Sequence, residues 1–295
     1  MNLPNILIVG AAKSGTTSLH NYLNQHPDIF MCNPKEPHFL INNEIGPGRI
    51  PGGVLHKHEY ENLFTKATSV RYRGESSVMY LTYPKVVIKN IKKYLSDDVK
   101  IIIMLRNPVE RAYSGYQHVK RYNLKENLSF NDALDVSEER YSLDKEITPA
   151  SRYLEIGNYY KQVKSFKESF DNIHVIIYDD YKLNINKELE KVFSFLSLTN
   201  INIDTRKKFN QGGWQWKSNL IKNIFMKEYL LKRIFRFFFP NRRIRRNLLN
   251  TLKLFSVNDI TPMNSETRNW LKAYYKDDVS RLSTLLSRDL NNWTL

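Results

Sequence analysis

Residues 6–19 read ILIVGAAKSGTTSL, and this stretch decides the fold. Residues 6–9 are apolar and mostly β-branched, which is typical of a buried parallel strand. Residues 16–24 carry apolar side chains at the spacing of one helix face. A turn bounded by Gly10 and Gly15 joins the two segments. The stretch therefore predicts a strand that leads through a glycine-bounded turn into a helix.

The same succession of strand and helix recurs along the chain. Further apolar runs predict strands at residues 70–74, 100–105 and 173–178. Apolar residues at helical spacing predict helices at residues 84–95, 110–121, 158–170, 186–196 and 266–293. Because helices follow the strands, we expect an α/β fold, a single domain over residues 1–295 whose central, mostly parallel sheet is flanked by helices.

The composition is that of an ordinary globular protein. The chain has 295 residues, of which 41% are hydrophobic, so it can bury a core and is not a disordered protein. Its single cysteine, Cys32, excludes an internal disulfide and a multi-cysteine zinc site. The apolar run at residues 6–12 is far shorter than the roughly 20 residues of a membrane span, and it lacks the basic segment that precedes a signal peptide core. We therefore expect a cytoplasmic protein.

The positive charge is concentrated in one part of the chain. The net charge is +15, and residues 206–253 hold fourteen Lys and Arg against one acidic residue, Glu228. Residues 222–246 mix these cations with aromatic and aliphatic side chains, which predicts a basic amphipathic helical insertion at about 220–250. It would act as a cationic lid, pack as a helix, or make weak peripheral contact with a membrane. No nucleic-acid-binding signature accompanies it, so nucleic acid is not an expected partner.

The turn after the first strand has the groups that bind a phosphate. Backbone N–H groups at a helix N-terminus attract an anion, and Lys13 adds a cation. Gly15 lets the backbone approach closely, and hydroxyl donors surround it at Ser14, Thr16, Thr17 and Ser18. We therefore predict that this P-loop-like turn binds a phosphate or a similar anion.

The turn differs from the loop of nucleoside triphosphatases. That loop requires Gly-x-x-x-x-Gly-Lys-Ser/Thr. Gly10 and Gly15 have the required spacing, but Thr16 occupies the lysine position and the lysine lies at position 13. A magnesium–triphosphate site is therefore disfavoured. A small-molecule kinase or another phosphoryl-transfer enzyme stays an alternative, which dependence on magnesium would distinguish.

A second anion site is expected at Arg106. This residue directly follows the predicted strand at 100–105, and the strand ends of α/β sheets carry ligand-binding groups. A guanidinium binds a phosphate through two parallel hydrogen bonds. Ser114 lies about two helical turns further on and would face the same ligand.

The ordered set of motifs resembles the sulfotransferases that use 3′-phosphoadenosine 5′-phosphosulfate (PAPS), in particular bacterial members similar to glycan and secondary-metabolite enzymes. The matching segments are Lys13-Ser-Gly-Thr-Thr-Ser-Leu19, Asn24-Gln-His-Pro27, Lys35-Glu-Pro-His-Phe39, Gly74-Glu-Ser-Ser77 with Tyr80, Leu105-Arg-Asn-Pro108 with Arg111 and Ser114, and Arg288-Asp-Leu290 with Trp293. The match is firm over residues 5–120 and looser at the C-terminus.

The resemblance implies transfer of a sulfuryl group from PAPS to a hydroxyl or an amine. Lys13 would neutralise the leaving phosphate, while Arg106 and Ser114 would hold the 3′-phosphate. A sulfuryl group carries less negative charge than a terminal phosphoryl group, so no metal is required. The resemblance also implies a small-molecule or glycan acceptor, with a saxitoxin-type alkaloid as one candidate. The sequence carries no signal for the oligomeric state.

Two residues compete for the role of general base. Glu36 and His38 are two positions apart, and either side chain can accept a proton from the acceptor. The resemblance points to Glu36, because this position matches the catalytic glutamate of glycan enzymes.

The segment at residues 212–217 is the last candidate. It reads GGWQWK and predicts a flexible aromatic and cationic loop. By resemblance, Trp214 would stack on the adenine and Lys217 would meet the 3′-phosphate. The alternative is that both tryptophans of this segment pack on the core.

Overall fold

A computed structural model describes residues 3–207, 209, 212–226 and 256–295. The strands of its main sheet are β1 (Ile6–Gly10), β2 (Ile29–Met31), β3 (Tyr72–Ser76), β4 (Lys100–Leu105) and β5 (Ile173–Ile177). They are all parallel and lie in the order β2-β3-β1-β4-β5. The expected α/β fold, with a central parallel sheet flanked by helices, is confirmed.

The helices cover both faces of this sheet. They are α1 (Thr16–Leu23), α2 (Phe39–Ile45), α3 (Lys57–Asn62), α4 (Pro84–Tyr94), α5 (Pro108–Tyr122), α6 (Phe130–Leu143), α7 (Tyr159–Ser169), α8 (Tyr178–Leu183), α9 (Ile185–Phe195), α10 (Asn219–Met226) and α11 (Ser265–Leu286). Short 3-10 turns lie at Pro149–Ser151, Glu155–Gly157 and Asn291–Trp293. None of the helices in the described ranges is long and apolar enough to cross a membrane.

The sheet separates two apolar cores because side chains alternate along each strand. Leu7 and Val9 on β1 pack into the core under α4, α7 and α11. Ile6 and Ile8 point to the opposite side and pack against α1 and α9. This double burial explains why residues 6–9 are all apolar, without the alternation of a strand that faces water on one side.

Sequence reasoning missed the shorter elements. Strand β2 has three residues and helices α2 and α3 have seven and six, too few for a period to emerge. Helix α6 was missed as well, and strand β3 lies two residues later than the expected 70–74. The helix expected at 266–293 ends at Leu286 and is followed by a 3-10 turn.

A small second sheet replaces the flexible loop expected at residues 212–217. Strand β6 (Trp214–Trp216) pairs in antiparallel fashion with β7 (Val257–Asp259). The Arg121 guanidinium on α5 donates to the Trp214 carbonyl, and the Trp216 indole donates to the Arg121 carbonyl over 3.0 Å. The expectation of a flexible loop is wrong at these three residues, because α5 and β7 hold them.

The basic insertion is described only at its start. Lys222 on α10 is buried, and its ammonium donates to the Glu126 carbonyl over 3.1 Å. This first cation of the segment is therefore part of the packed structure. Residues 227–246 lie outside the described residues, so the lid and the weak membrane contact stay predictions.

Candidate active site

The turn expected to bind phosphate has a backbone that only glycine fits well. Gly10 has a φ of 153°, and a Cβ atom there would lie 2.9 Å from the Val78 carbonyl oxygen. Gly15 has a φ of 92°, and its Cβ would lie 3.1 Å from the Tyr178 ring. The two glycines therefore allow the chain to reverse closely between β1 and α1.

The N-terminus of α1 opens into a cavity. Gly15 is the N-cap residue, and no side chain of the described residues caps the helix. The first turn therefore offers a positive helix end to an anion. Gly15 and three hydroxyl residues line the cavity, namely Thr16, Thr17 and Ser18. Ser14 is fully buried behind the turn and is not among the lining residues.

Lys13 lies in the same cavity in an electropositive environment. Burial, followed by the nearby guanidinium groups of Arg121 and Arg106, lowers its pKa to about 8. These cations repel one another in the ligand-free protein. An anion bound among them would relieve this repulsion.

The second expected anion site joins the first. Strands β1 and β4 are neighbours, so the turn after β1 and Arg106 after β4 lie at the same sheet edge. Arg106 donates to the Lys13 carbonyl over 3.2 Å, and its guanidinium lies 5.2 Å from the Tyr178 ring centroid. Ser114, two turns along α5, lines the same cavity. The fold thus brings together the two segments that the sequence predicts to bind phosphate.

The N-terminus of α5 is fixed just after Arg106. Asn107 caps the helix by accepting from the N–H groups of Val109 and Glu110. Pro108 occupies the first helical position, where its missing N–H costs nothing. The Tyr159 hydroxyl donates to the Arg106 carbonyl over 2.9 Å. Arg106 is therefore held between a strand end and a capped helix.

The cavity has a volume of about 720 Å³. The predicted residues that line it are Lys13, Gly15, Thr16, Thr17, Ser18, Glu36, Arg106 and Ser114. The predicted residues outside its lining are Ser14, His38, Trp214 and Lys217.

Glu36 reaches the cavity while His38 lies behind it. The side chain of His38 is 7% exposed, and its Nε2 lies 3.4 Å from Oε2 of Glu36. Lys35 donates to the other carboxylate oxygen of Glu36 over 2.5 Å. Burial alone would raise the pKa of Glu36, but the bonds from His38 and Lys35 hold that pKa well below its usual range. Glu36 is therefore an ionised carboxylate at neutral pH.

Trp214 and Lys217 lie outside the lining of the cavity. The Trp214 ring lies 4.3 Å from the Arg121 guanidinium and packs edge-on against Tyr122. Lys217 is exposed, and its backbone N–H donates to the Ser256 carbonyl. Trp214 is half-buried against α5 and is not among the described residues of either apolar core. The contacts of Trp214 and Lys217 with the nucleotide stay predictions.

Sequence reasoning missed several lining residues. Gln117 and Arg121 follow Ser114 on α5 at helical spacing and face the same cavity, which His118 also lines. Burial, followed by the charges of Lys13 and Arg121, lowers the pKa of His118 to about 4, so its ring is neutral at pH 7. The helical period from Ser114 was the available signal. Further missed lining residues are Tyr22, Tyr178, Tyr181, Lys182 and Phe209.

The charges of the cavity favour an anionic ligand. Arg121 is 6% exposed and has no acidic partner among the residues that the structure describes. Glu110 also lines the cavity, but it pairs with Arg268 on α11. Within the same described part of the chain, no group of three His, Cys, Asp or Glu residues is placed to hold a metal ion. The surplus of positive charge matches a ligand with several phosphate or sulfate groups.

Comparisons with known proteins agree with this geometry. A family model described as sulfotransferase domain matches residues 3–212. The crystal structure of a sulfotransferase from Alicyclobacillus acidocaldarius is 29% identical, has a TM-score of 0.75, and matches over 100% of both chains.

Two curated relatives match over about two thirds of this chain. Human carbohydrate sulfotransferase 15 is 25% identical over 66% of this chain and 44% of its own length. Mouse bifunctional heparan sulfate N-deacetylase/N-sulfotransferase 2 is 26% identical over 67% of this chain and 22% of its own length. The chain thus spans less than half the length of these two relatives.

Proposed function

The chain belongs to the sulfotransferase domain family, and from this premise we propose that it transfers a sulfuryl group from PAPS to a hydroxyl or amine of a glycan or small-molecule acceptor. One observation carries the proposal. A single cavity of about 720 Å³ is lined by the glycine-bounded turn with Lys13, by Arg106 and Ser114, and by the carboxylate of Glu36. These are the groups needed to hold two anions and to accept a proton.

The donor would span the two anion sites. The turn at residues 10–18 fits the 5′-phosphosulfate, because it combines an uncapped helix end, hydroxyl groups and the Lys13 ammonium. Arg106 and Ser114 fit the 3′-phosphate, since a guanidinium and a hydroxyl suit an anion that does not react. Tyr178, next to the guanidinium of Arg106, offers an aromatic surface for the base.

The transfer forms a bond between the acceptor oxygen or nitrogen and sulfur. It breaks the bond between sulfur and the bridging phosphate oxygen, and that oxygen keeps the electron pair. The Lys13 ammonium would stabilise the charge that develops there. The acceptor proton would move to the Glu36 carboxylate. Because these steps need only protein cations and one base, we propose that no metal takes part.

The contacts support Glu36 rather than His38 as the base. Glu36 borders the cavity, whereas the ring of His38 is buried behind it at 3.4 Å. His38 and Lys35 keep the carboxylate ionised and oriented. An acceptor hydroxyl in the cavity would therefore meet Glu36 first. In this arrangement His38 is a positioning residue.

The names of the relatives support a carbohydrate acceptor. Carbohydrate sulfotransferase 15 and the heparan sulfate N-sulfotransferase are named for carbohydrate acceptors. We propose a glycan or a small hydroxylated molecule for this chain as well. A saxitoxin-type alkaloid stays a prediction. Family membership and the position of Lys13 disfavour the kinase alternative.

The first experiment measures donor binding. We expect 3′-phosphoadenosine 5′-phosphate (PAP) to raise the melting temperature, by stabilisation of about 2.7 kcal/mol at a hundredfold excess over Kd. Adenosine 5′-phosphate should stabilise the protein less, because it lacks the 3′-phosphate. Equal stabilisation by the two nucleotides would remove the assigned role of Arg106 and Ser114.

The second experiment measures transfer. The protein is incubated with PAPS and a panel of glycan and small-molecule acceptors, and sulfated product is detected by mass. Parallel reactions contain EDTA, or ATP and magnesium in place of PAPS. Sulfated product in the presence of EDTA supports the proposal. Phosphorylated product that requires magnesium would support a kinase.

A further inference from the structure

Glu75 is a buried carboxylate that the proposed reaction does not use. It lies near the end of β3 with an exposure of 0%. Three hydroxyl groups donate to it: Tyr60 over 2.5 Å, Ser77 over 2.6 Å and Tyr80 over 2.8 Å. No ion pair to Glu75 forms within the described ranges. Burial raises the pKa of the Glu75 carboxyl, and the three hydroxyl bonds and the nearby His38 oppose this rise.

Two of these hydroxyl groups connect Glu75 to the segment that carries Glu36. The Ser77 hydroxyl accepts from the backbone N–H of His38 over 3.0 Å. The Tyr80 hydroxyl accepts from the backbone N–H of Leu40 over 3.1 Å. A hydroxyl group has a single proton. Because Ser77 and Tyr80 each donate that proton to the Glu75 carboxylate, their oxygen lone pairs are left to accept from the backbone N–H groups. By accepting these two hydrogen bonds, Glu75 orients both hydroxyl groups so that their lone pairs face the backbone N–H groups.

The backbone held by these bonds has an unfavourable conformation. Glu36 has a φ of 65° and His38 a φ of 52°, both in the left-handed region. Residues other than glycine need support from the surrounding structure to stay in this region. Two further bonds reach the same turn, from the Val54 N–H to the Pro37 carbonyl and from Asn90 to the Leu40 carbonyl, each over 2.8 Å.

We propose that Glu75 is a positioning residue of the active site, which holds the turn at residues 36–40 through Ser77 and Tyr80 so that the Glu36 carboxylate faces the cavity. This inference rests on the proposed function, in which Glu36 takes the acceptor proton. It gives the buried hydroxyl cluster a role in turnover besides its contribution to stability.

Tyr60 provides a matched control. Its hydroxyl donates to the same carboxylate oxygen as that of Tyr80, and both residues are fully buried. The Tyr60 hydroxyl makes no described bond to residues 36–40. Tyr60→Phe therefore removes one donor to Glu75 and leaves both connections to the turn intact. Tyr80→Phe and Ser77→Ala remove one connection each.

The experiment compares these three variants with the wild-type protein. Turnover, acceptor KM, PAP affinity and melting temperature are measured for each. We expect Tyr80→Phe and Ser77→Ala to lower kcat by about 10²-fold, since a small misplacement of a catalytic group has such an effect. PAP affinity should stay within about twofold, and Tyr60→Phe should lower the melting temperature but keep kcat within about twofold. Equal loss of kcat in Tyr60→Phe and Tyr80→Phe would overturn the inference.

A double variant separates this inference from the proposed function. If Tyr80 acts through Glu36, Tyr80→Phe should cost little further turnover in a Glu36→Gln protein, so the two effects are not additive. Additive losses would overturn the positioning role and leave the proposed function intact. Absence of sulfated product from the wild-type protein would instead contradict the proposed function itself.

Discussion

The two walls of the cavity are built in different ways. The donor wall consists of residues 10–18 and Arg106 with Ser114, which directly follow two adjacent strands. A second part of the lining, the acceptor wall, carries Glu36 on a turn whose backbone is bonded to side chains about forty positions away, Ser77 and Tyr80. The donor wall is thus positioned by the main chain of the sheet, and the acceptor wall by buried side chains.

This difference suggests how each wall responds to substitution. On the donor wall, strand ends and helix N-termini position most of the ligand-binding groups. Substitution of one side chain should therefore remove its charge without displacing the other groups. On the acceptor wall, side chains that follow β3 hold the backbone of another segment. Changes outside the cavity should therefore alter turnover on this side. The following predictions test that contrast.

The largest effect is expected at Glu36. Glu36→Gln keeps the shape of the side chain but removes its ability to take a proton, so turnover should fall by about 10²–10⁴-fold. PAP affinity should be nearly unchanged, because this side chain belongs to the acceptor wall. Steady-state kinetics and PAP titration are the measurements. His38→Ala is the control and should cost less, and an inactive His38→Ala beside a fully active Glu36→Gln would move the base to His38.

A slightly smaller effect is expected at Lys13. Lys13→Ala should lower kcat by about 10²–10³-fold, as for the loss of one group aimed at developing charge. The acceptor KM should change little if the two walls act independently. Single-turnover rates at saturating PAPS would measure the loss. Lys182→Ala, at another lysine that lines the cavity, is the control, and unchanged turnover in Lys13→Ala would remove this residue from the transfer step.

Arg106→Ala should mainly weaken donor binding. A hydrogen bond to a charged group contributes about 1.5–3 kcal/mol, so PAP affinity should fall by about 10–150-fold. The kcat at saturating PAPS should stay close to that of the wild type, since the 3′-phosphate does not react. Calorimetric titration with PAP and adenosine 5′-phosphate is the measurement. If both nucleotides lost affinity equally, Arg106 would not bind the 3′-phosphate.

The smallest effect is a pH dependence of donor affinity. The pKa of Lys13 is about 8 in the ligand-free protein, and a bound anion raises it. PAP affinity should therefore be full below about pH 8 and decline above it, by at most about tenfold per pH unit. Titrations between pH 7 and 9.5 would show this.

Two variants sharpen the pH experiment. Lys13→Arg keeps its charge throughout the range, so its PAP affinity should not decline. Arg121→Gln removes the largest opposing charge and should move the midpoint to higher pH. A decline that persists in Lys13→Arg would assign the titration to another group.

The sequence by itself predicted most of the residues that form the donor wall. Lys13 and Arg106 each lie just after an apolar strand, and parallel neighbouring strands end at the same edge of a sheet. The resemblance assigns both cations to one nucleotide, and the structure places them at the same sheet edge, where Arg106 donates to the Lys13 carbonyl. Ser114 follows from helical spacing. These relations are local or depend only on sheet topology. They can therefore be understood without any detail of side-chain packing.

Only the tertiary structure decided how the acceptor wall is arranged. By residue chemistry either Glu36 or His38 can be the base, and only the resemblance points to Glu36. In the structure Glu36 borders the cavity and His38 is buried behind it. Glu75 lies in a segment that matches the family, but its role could not be assigned from the sequence, because its hydroxyl partners Tyr60, Ser77 and Tyr80 and the turn they hold are brought together only by the fold. The packing of helices and turns over the sheet decides which polar side chains are buried together. Such packing leaves no periodic pattern in the sequence from which it could be predicted.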